Sequence, residues 1–438
     1  MNIRFYNAKI LTMNGDMPVF DGELWTEDSR IIYVGDGSNL DEYYKRTGRS
    51  AIIWGREIDC KGNLIMPGFK NCHTHSAMTF LRSHADDLPL QDWLNNQVFP
   101  YEAKLSPQDI FEFTRIAILE YLTGGITGIM EMYLTPGSIA KCCQEMGMRV
   151  TQVGGVNNFS QSPELIDKWM EELNGKNDLT SFRVGFHAEY TCSLELLKKI
   201  ADLSHKYKSP VFTHIQETKS ETDGCIERYG KTPVALFNDL GMFDYGGAGY
   251  HLVWTNDEDR LIMKEKHVSV VTNPGSNSKL ASGIAPISEY LNDGIPVAIG
   301  TDGPASNNCL DMFREMFLVT ALAKLKTNDA SAVPATEVLK MATYNGAHVM
   351  CTPDADCLAE GKLADIIMMD MNQPNMQPVW NIENNIVYSG SKSDIMMTMI
   401  AGVIRYDTFD GFQRFNVGKE VSDTYRDCEV IKKRIFGL

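Results

Sequence analysis

Three rhythms of apolar and polar positions divide the chain. Ile3–Thr12, Gly22–Trp25, Arg30–Val34 and Ile52–Ile58 alternate with a period of about two and are separated by Gly, Asp and Asn, which predicts half-buried antiparallel strands. From Pro67 to about Met350 short apolar bursts take over: Gly128–Met132, Arg149–Val153, Arg183–Phe186, Val211–His214, Val268–Val271 and Val297–Gly300. Helical patterns such as Pro107–Leu122, Leu194–Tyr207 and Met312–Leu325 run between them. Parallel strands covered on both faces are expected to be such bursts, and their alternation with helices over roughly 250 residues predicts an α/β chain built as a (β/α)8 barrel. After Met350 strand-like pieces return at Ala364–Asp370, Asn385–Ser389 and Met396–Tyr406. The expected organisation is a barrel at 67–356 and one small β-sandwich domain sewn from 1–66 and 357–438.

Composition narrows the function without naming it. Hydrophobic residues at 43% and charged residues at 22% suit a globular protein and exclude a disordered, collagen-like or disulfide-stapled chain. With 41 Lys plus Arg against 57 Asp plus Glu, the net charge of −16 argues against a nucleic-acid polymer or an anionic membrane as partner. Lys432, Lys433 and Arg434 make the longest basic run. The 10 cysteines are scattered and form no Cys-x-x-Cys pair. The first residues do not read as a signal peptide, and no apolar run approaches the ~18 residues of a membrane span. A cytoplasmic protein with reduced thiols, working on a small molecule, is the expectation; a homo-oligomer is compatible with it.

The histidines carry the chemistry. Pro67-Gly68-Phe69-Lys70-Asn71-Cys72-His73-Thr74-His75 places His73 and His75 two apart, on one face of a strand, where both imidazoles can reach one ion. Val211-Phe212-Thr213-His214-Ile215-Gln216-Glu217 is a second apolar strand ending in His, with a carboxylate three residues on. Val297-Ala298-Ile299-Gly300-Thr301-Asp302 is a third, ending in Asp, and His251 terminates a further candidate strand. A His-x-His pair alone is more often incidental. Five such residues all ending apolar strands fit the carboxyl face of a barrel, where barrel active sites lie. Three His and one carboxylate with open positions is the pattern of a catalytic metal site.

These motifs resemble the amidohydrolase superfamily, and within it the adenosine-type deaminases that act on 5′-methylthioadenosine and S-adenosylhomocysteine; triazine chlorohydrolases and guanine deaminases are similar. The likeness extends through Ala85–Leu94, Thr213–Thr218, Asn273–Leu280, Gly283–Pro286, Gly300–Asn308, Ala342–Ala347 and Gly361–Asp365. It implies one divalent metal held by His73, His75, His214 and Asp302: zinc first, with iron or manganese as alternatives. The fourth barrel strand, Val184–Tyr190, lacks the lysine of two-metal relatives. It also implies water activated towards a pKa of about 7, Asp302 and His251 as general bases, and Glu217 as the proton donor to the ring nitrogen beside the reacting carbon.

Substrate residues follow from the same resemblance. Trp93 matches an aromatic residue over the nucleoside, Glu102 a carboxylate on the ribose hydroxyls, and His187 a ribose- or base-contacting histidine, with Glu217 at the base. Ordinary loop packing, a solvated helix start and a satisfied strand-end histidine are the plain readings of the first three. Two departures stand out. Relatives that accept S-adenosylhomocysteine carry an arginine after the third barrel strand, whereas Val150 through Ser181 contain none. Losing a bidentate guanidinium should weaken a carboxylate-bearing tail, favouring 5′-methylthioadenosine, 5′-deoxyadenosine or adenosine. Trp254 stands where relatives often repeat a histidine. Deamination of another aminoheterocycle, triazine dechlorination and a non-catalytic scaffold are the competing readings.

Overall fold

The computed structural model describes every residue except Met17, Pro18, Ser50, Ala51 and Ala85. Ala85, which heads the Ala85–Leu94 stretch, therefore lies outside the described residues. The period-two segments at the start of the chain become β1 (Ile3–Leu11), β2 (Val19–Glu27) and β3 (Arg30–Gly35), an antiparallel set. Of the Ile52–Ile58 stretch only its end is strand, as β4 (Arg56–Asp59); β4 and β5 (Leu64–Pro67) both pair with β1 in parallel.

The apolar bursts form the expected parallel barrel. Its strands are β6 (Phe69–Thr74), β7 (Ile126–Glu131), β8 (Arg149–Val153), β9 (Thr180–Ala188), β10 (Val211–Ile215), β11 (Gly247–His251), β12 (Val268–Thr272) and β13 (Val297–Ile299). They neighbour one another in chain order from β6 to β13. The ring is drawn together between its first and last strands: Asp302 N–H donates to His73 O at 2.9 Å, and Thr301 N–H to Asn71 Oδ1 at 2.9 Å. Gly300 permits this approach, because a Cβ there would stand 2.7 Å from the Cβ of His73 and 2.8 Å from its backbone nitrogen.

The chain then returns to the first sheet. β14 (Ile366–Met369) runs antiparallel to β5 and is followed by β15 (Ile395–Ile400), β16 (Val403–Asp407) and β17 (Arg414–Phe415). Both chain ends thus share one nine-stranded, mostly antiparallel sheet. In β14, Ile366 and Met368 pack into this sheet's own core while Ile367 and Met369 join the barrel's core. Ile366–Met369 is therefore buried strand core on both faces, its two methionines filling one core each.

One element corrects the sequence reading and one adds to it. Asn385–Ser389 is a helical turn rather than a strand. Its neighbours Ile386 and Val387 are both buried, and consecutive strand residues would point to opposite faces. The last residues, Val421–Phe436, form a helix on the barrel's Pro107–Thr123 helix. Its Cys428, Thr424 and Ile435 are buried, and Arg434 pairs with Asp109. The basic run is the final turn of this helix, where positive charge complements the helix dipole. Among the described residues every cysteine is unpaired, and no helix is long and apolar enough to cross a membrane.

Candidate active site

The five strand-end residues meet at the carboxyl end of the barrel. His73 and His75 come from the end of β6, His214 from β10, His251 from the last residue of β11, and Asp302 from just beyond β13. One ligand atom from each of His73, His75, His214 and Asp302 lies within 4.8 Å of all the others. Asp302 Oδ1 stands 3.4 Å from His73 Nε2 and 3.3 Å from His75 Nε2.

The hydrogen-bond accounting fits a cation. His75 Nδ1 faces Met132 O at 2.5 Å and His214 Nδ1 faces His187 O at 2.7 Å. A carbonyl can only accept, so each Nδ1 carries a proton and Nε2 is the ring nitrogen turned inward, the one a cation would take in place of a proton. His73 is fully buried with no hydrogen-bond partner on either ring nitrogen, an orphaned state that a metal ion would relieve. Tyr250 stacks on its ring at 3.8 Å and holds the plane of the imidazole. Burial pushes His73 down to about 3 and His214 well below the usual histidine value, so both are neutral and able to ligate. Burial also opposes a charge on His75, but the facing Asp302 carboxylate overrides it and holds His75 up at about 9. Burial opposes the Asp302 charge too, yet the two imidazoles hold that carboxyl well below its ordinary range.

Neighbouring hydroxyls and amides aim these groups. Asp302 Oδ2 accepts from Ser276 Oγ at 2.6 Å and Ser306 Oγ at 3.0 Å, and its Oδ1 accepts from Gly303 N–H at 2.7 Å. His251 Nδ1 lies 2.7 Å from Asn277 Oδ1, leaving Nε2 directed at Glu217 Oε2, 3.8 Å away, and Asp302 Oδ2, 4.0 Å away. Glu217 Oε1 accepts from Ser282 Oγ at 3.0 Å. Burial raises the Glu217 carboxyl above its ordinary value, so it holds its proton longer than a surface acid. Three residues here adopt left-handed backbone that non-glycine residues avoid: Gln216 at φ 51°, His251 at 74° and Asp302 at 60°. Such strain persists only where the surroundings over-determine it, and it gathers at functional sites.

A cavity of about 440 Å³ opens onto this cluster. Trp93, Glu102 and His187 all line it, as do Glu217, His251 and Asp302. Trp93 is buried and its indole nitrogen has no protein partner. Burial raises the Glu102 carboxyl, and burial together with repulsion from His75 takes His187 down to about 4. Among the described lining residues none is Lys or Arg, while Phe99, Leu134 and Phe159 give the wall apolar surface. Trp254 is not part of the lining; its indole donates instead to Ser282 O at 2.7 Å. Sequence reasoning assigned no role to Ser276, Asn277, Ser306 or Ser282. The first three sit in motifs it had singled out, and only the folded contacts reveal what their side chains reach.

Residues 64–405 match the model of the amidohydrolase family. The 5-methylthioadenosine/S-adenosylhomocysteine deaminase of Thermoanaerobacter pseudethanolicus is 36% identical over 416 residues, covering 92% of this chain and 93% of that protein. The 5′-deoxyadenosine deaminase of Methanosarcina acetivorans is 36% identical over 423 residues, covering 92% of each. A crystal structure of an adenosine deaminase from Xanthomonas campestris with bound zinc superposes with a TM-score of 0.89 at 27% identity, over 100% of this chain and 98% of that one. The chain belongs to the amidohydrolase family.

Proposed function

We propose that the protein is a metal-dependent hydrolytic deaminase of adenosine-type nucleosides, yielding the inosine-type product and ammonia. The observation that carries this reading is Glu217, a carboxyl that burial raises above its ordinary value, lining the cavity over a three-His, one-Asp cluster. His73, His75, His214 and Asp302 would hold one divalent ion, zinc before iron or manganese. Bound there, a divalent ion supplies Lewis acidity that makes water a nucleophile near neutral pH. Residues 67–356 form the catalytic unit in this reading.

The side chains divide the remaining work. Glu217 delivers a proton to the ring nitrogen next to the amine-bearing carbon, so that carbon accepts a nucleophile. His251 Nε2, facing both Glu217 and Asp302, takes a proton from water and passes it towards the departing ammonia. Asp302 accepts from two serines yet retains a base function. Each such relay contributes roughly 10²–10⁴-fold. Trp93 covers the base, Glu102 accepts from ribose hydroxyls and His187 contacts the nucleoside. The lining without Lys or Arg favours 5′-methylthioadenosine, 5′-deoxyadenosine or adenosine over the carboxylate-bearing S-adenosylhomocysteine.

The test is a screen of ammonia release, with the ultraviolet shift from adenine to hypoxanthine, across adenosines, guanine, pterins and triazines. Turnover confined to adenosines supports the reading. Preferred turnover of guanine, a pterin or a triazine would replace it, and no hydrolysis by metal-loaded protein would leave a scaffold.

A further inference from the structure

Glu221 lies in the first turn of the Lys219–Tyr229 helix, three residues after the N-cap Thr218. An acid at that position ordinarily reaches back to the backbone N–H of the N-cap residue, closing a capping box. Among the described residues other helical segments do so: Asp109 closes on Ser106, Asp259 on Asn256 and Asp394 on Ser391. Glu221 does not. Its Oε1 accepts from Gln216 N–H and its Oε2 from Glu217 N–H, both at 2.9 Å, so it grips the two residues before the N-cap. It is 6% exposed. Among the described residues it has no Lys or Arg in ion-pair contact.

The segment it grips is secured from the other side as well. Gln216 sends its Nε2 to Trp254 O at 2.6 Å and Asp259 Oδ2 at 3.0 Å, and accepts Val234 N–H on Oε1 at 3.2 Å. Its carbonyl accepts from Val253 N–H at 3.0 Å and Trp254 N–H at 3.1 Å. With the backbone of residue 216 held in a left-handed conformation, Glu217 is turned off the end of β10 and towards His251. A buried carboxyl spent on two backbone donors, without a cation, is expensive for a helix cap and reasonable for aiming a side chain.

We propose that Glu221 is a positioning residue for the deamination: by holding the N–H groups of Gln216 and Glu217 together, it aims the Glu217 carboxyl at the reacting ring nitrogen. This rests on the deaminase reading above. Glu221 touches neither a metal ligand nor the cavity, so its effect is on the proton-transfer step alone.

The experiment compares wild type, Glu221→Ala and Glu221→Gln, each metal-loaded, for kcat and KM on the best adenosine, with metal content and Tm measured alongside. Expected is a kcat loss of about 100-fold in Glu221→Ala and about tenfold in Glu221→Gln, which keeps one acceptor oxygen, in line with near-ångström misplacement of a catalytic group. KM stays within about threefold and metal content is unchanged. Ser106→Ala, a conventional cap that is not part of the cavity lining, serves as the control and lowers Tm with kcat intact. Should Glu221→Ala fail to fold, Glu221→Gln decides. Wild-type kcat in the folded variant, or a loss explained by missing metal or a raised KM, overturns the proposal. If the wild type releases no ammonia from any adenosine, the functional reading falls and this one with it; an active wild type with unaffected variants overturns this one only.

Discussion

At the amino ends of the barrel strands, Arg149 closes on Asp365 through two contacts of 2.6 and 3.0 Å, and Ala401 N–H adds a third bond to that carboxylate at 2.8 Å. Lys70, fully buried beside them, donates to Gly68 O and Thr127 Oγ1. At the carboxyl ends the buried groups are left open. His73 has no hydrogen-bond partner on either ring nitrogen, His251 and Glu217 face each other across 3.8 Å, and a cavity lies over them. Both ends bury ionisable side chains, which is costly unless each is paired. One end satisfies them internally and becomes structure. The other leaves lone pairs and protons unclaimed, and that is where an ion and a substrate gain their binding energy.

Five measurements press on that contrast. The largest effect belongs to His214→Ala, which should lose the metal and fall to background turnover; elemental analysis showing full occupancy would remove His214 from the ligand set. Glu217→Gln should keep the metal and lose roughly 10²–10⁴-fold in kcat, because the proton is no longer delivered. The wild-type rate should also fall as pH rises through the raised value of Glu217, since the deprotonated form cannot donate. Near-normal turnover by the Gln variant would reassign the donor.

The closed end predicts the opposite phenotype. Arg149→Met strands a buried carboxylate and should cost roughly 3–5 kcal/mol in denaturation while leaving kcat of the folded fraction unchanged. A kcat effect without a stability effect would mean the two ends are coupled. The smallest signal comes from Lys70. Burial lowers its ammonium to about 8, against about 10.4 in an unfolded chain. Between those values the unfolded chain binds more protons, so stability rises with pH from about 8 to about 10, by about 1 kcal/mol per pH unit at most. Lys70→Met should flatten that rise relative to wild type. Identical slopes would show that the amine is hydrated, and would weaken the comparison.

The open end was readable largely because its residues end apolar bursts. His73, His75, His214 and Asp302 fall where a strand's last side chain must face the barrel mouth. The hydroxyls and amides that aim them were not readable. Ser276, Ser306, Asn277 and Ser282 are common residue types whose meaning depends on a partner many positions away: 26 for Ser276 with Asp302, 65 for Ser282 with Glu217. Asn385–Ser389 was misread for a related reason, since a short β-branched run fits either strand or helix until its burial is known.

The alternation of apolar bursts with helices, the His-x-His pair and the order of strand-end ligands are properties of the sequence alone. They determine the barrel and the chemistry it carries, because periodicity and residue type are local. Tertiary structure decided the rest: that β6 and β13 meet so His73 can face Asp302, that Glu221 bypasses its own helix cap to hold Glu217, and that Arg149 is consumed by Asp365 rather than offered to a ligand. Each of these is a contact between residues distant in the chain or a departure from a local rule, and such contacts exist only once the core has closed and fixed which buried groups are satisfied and which are left over.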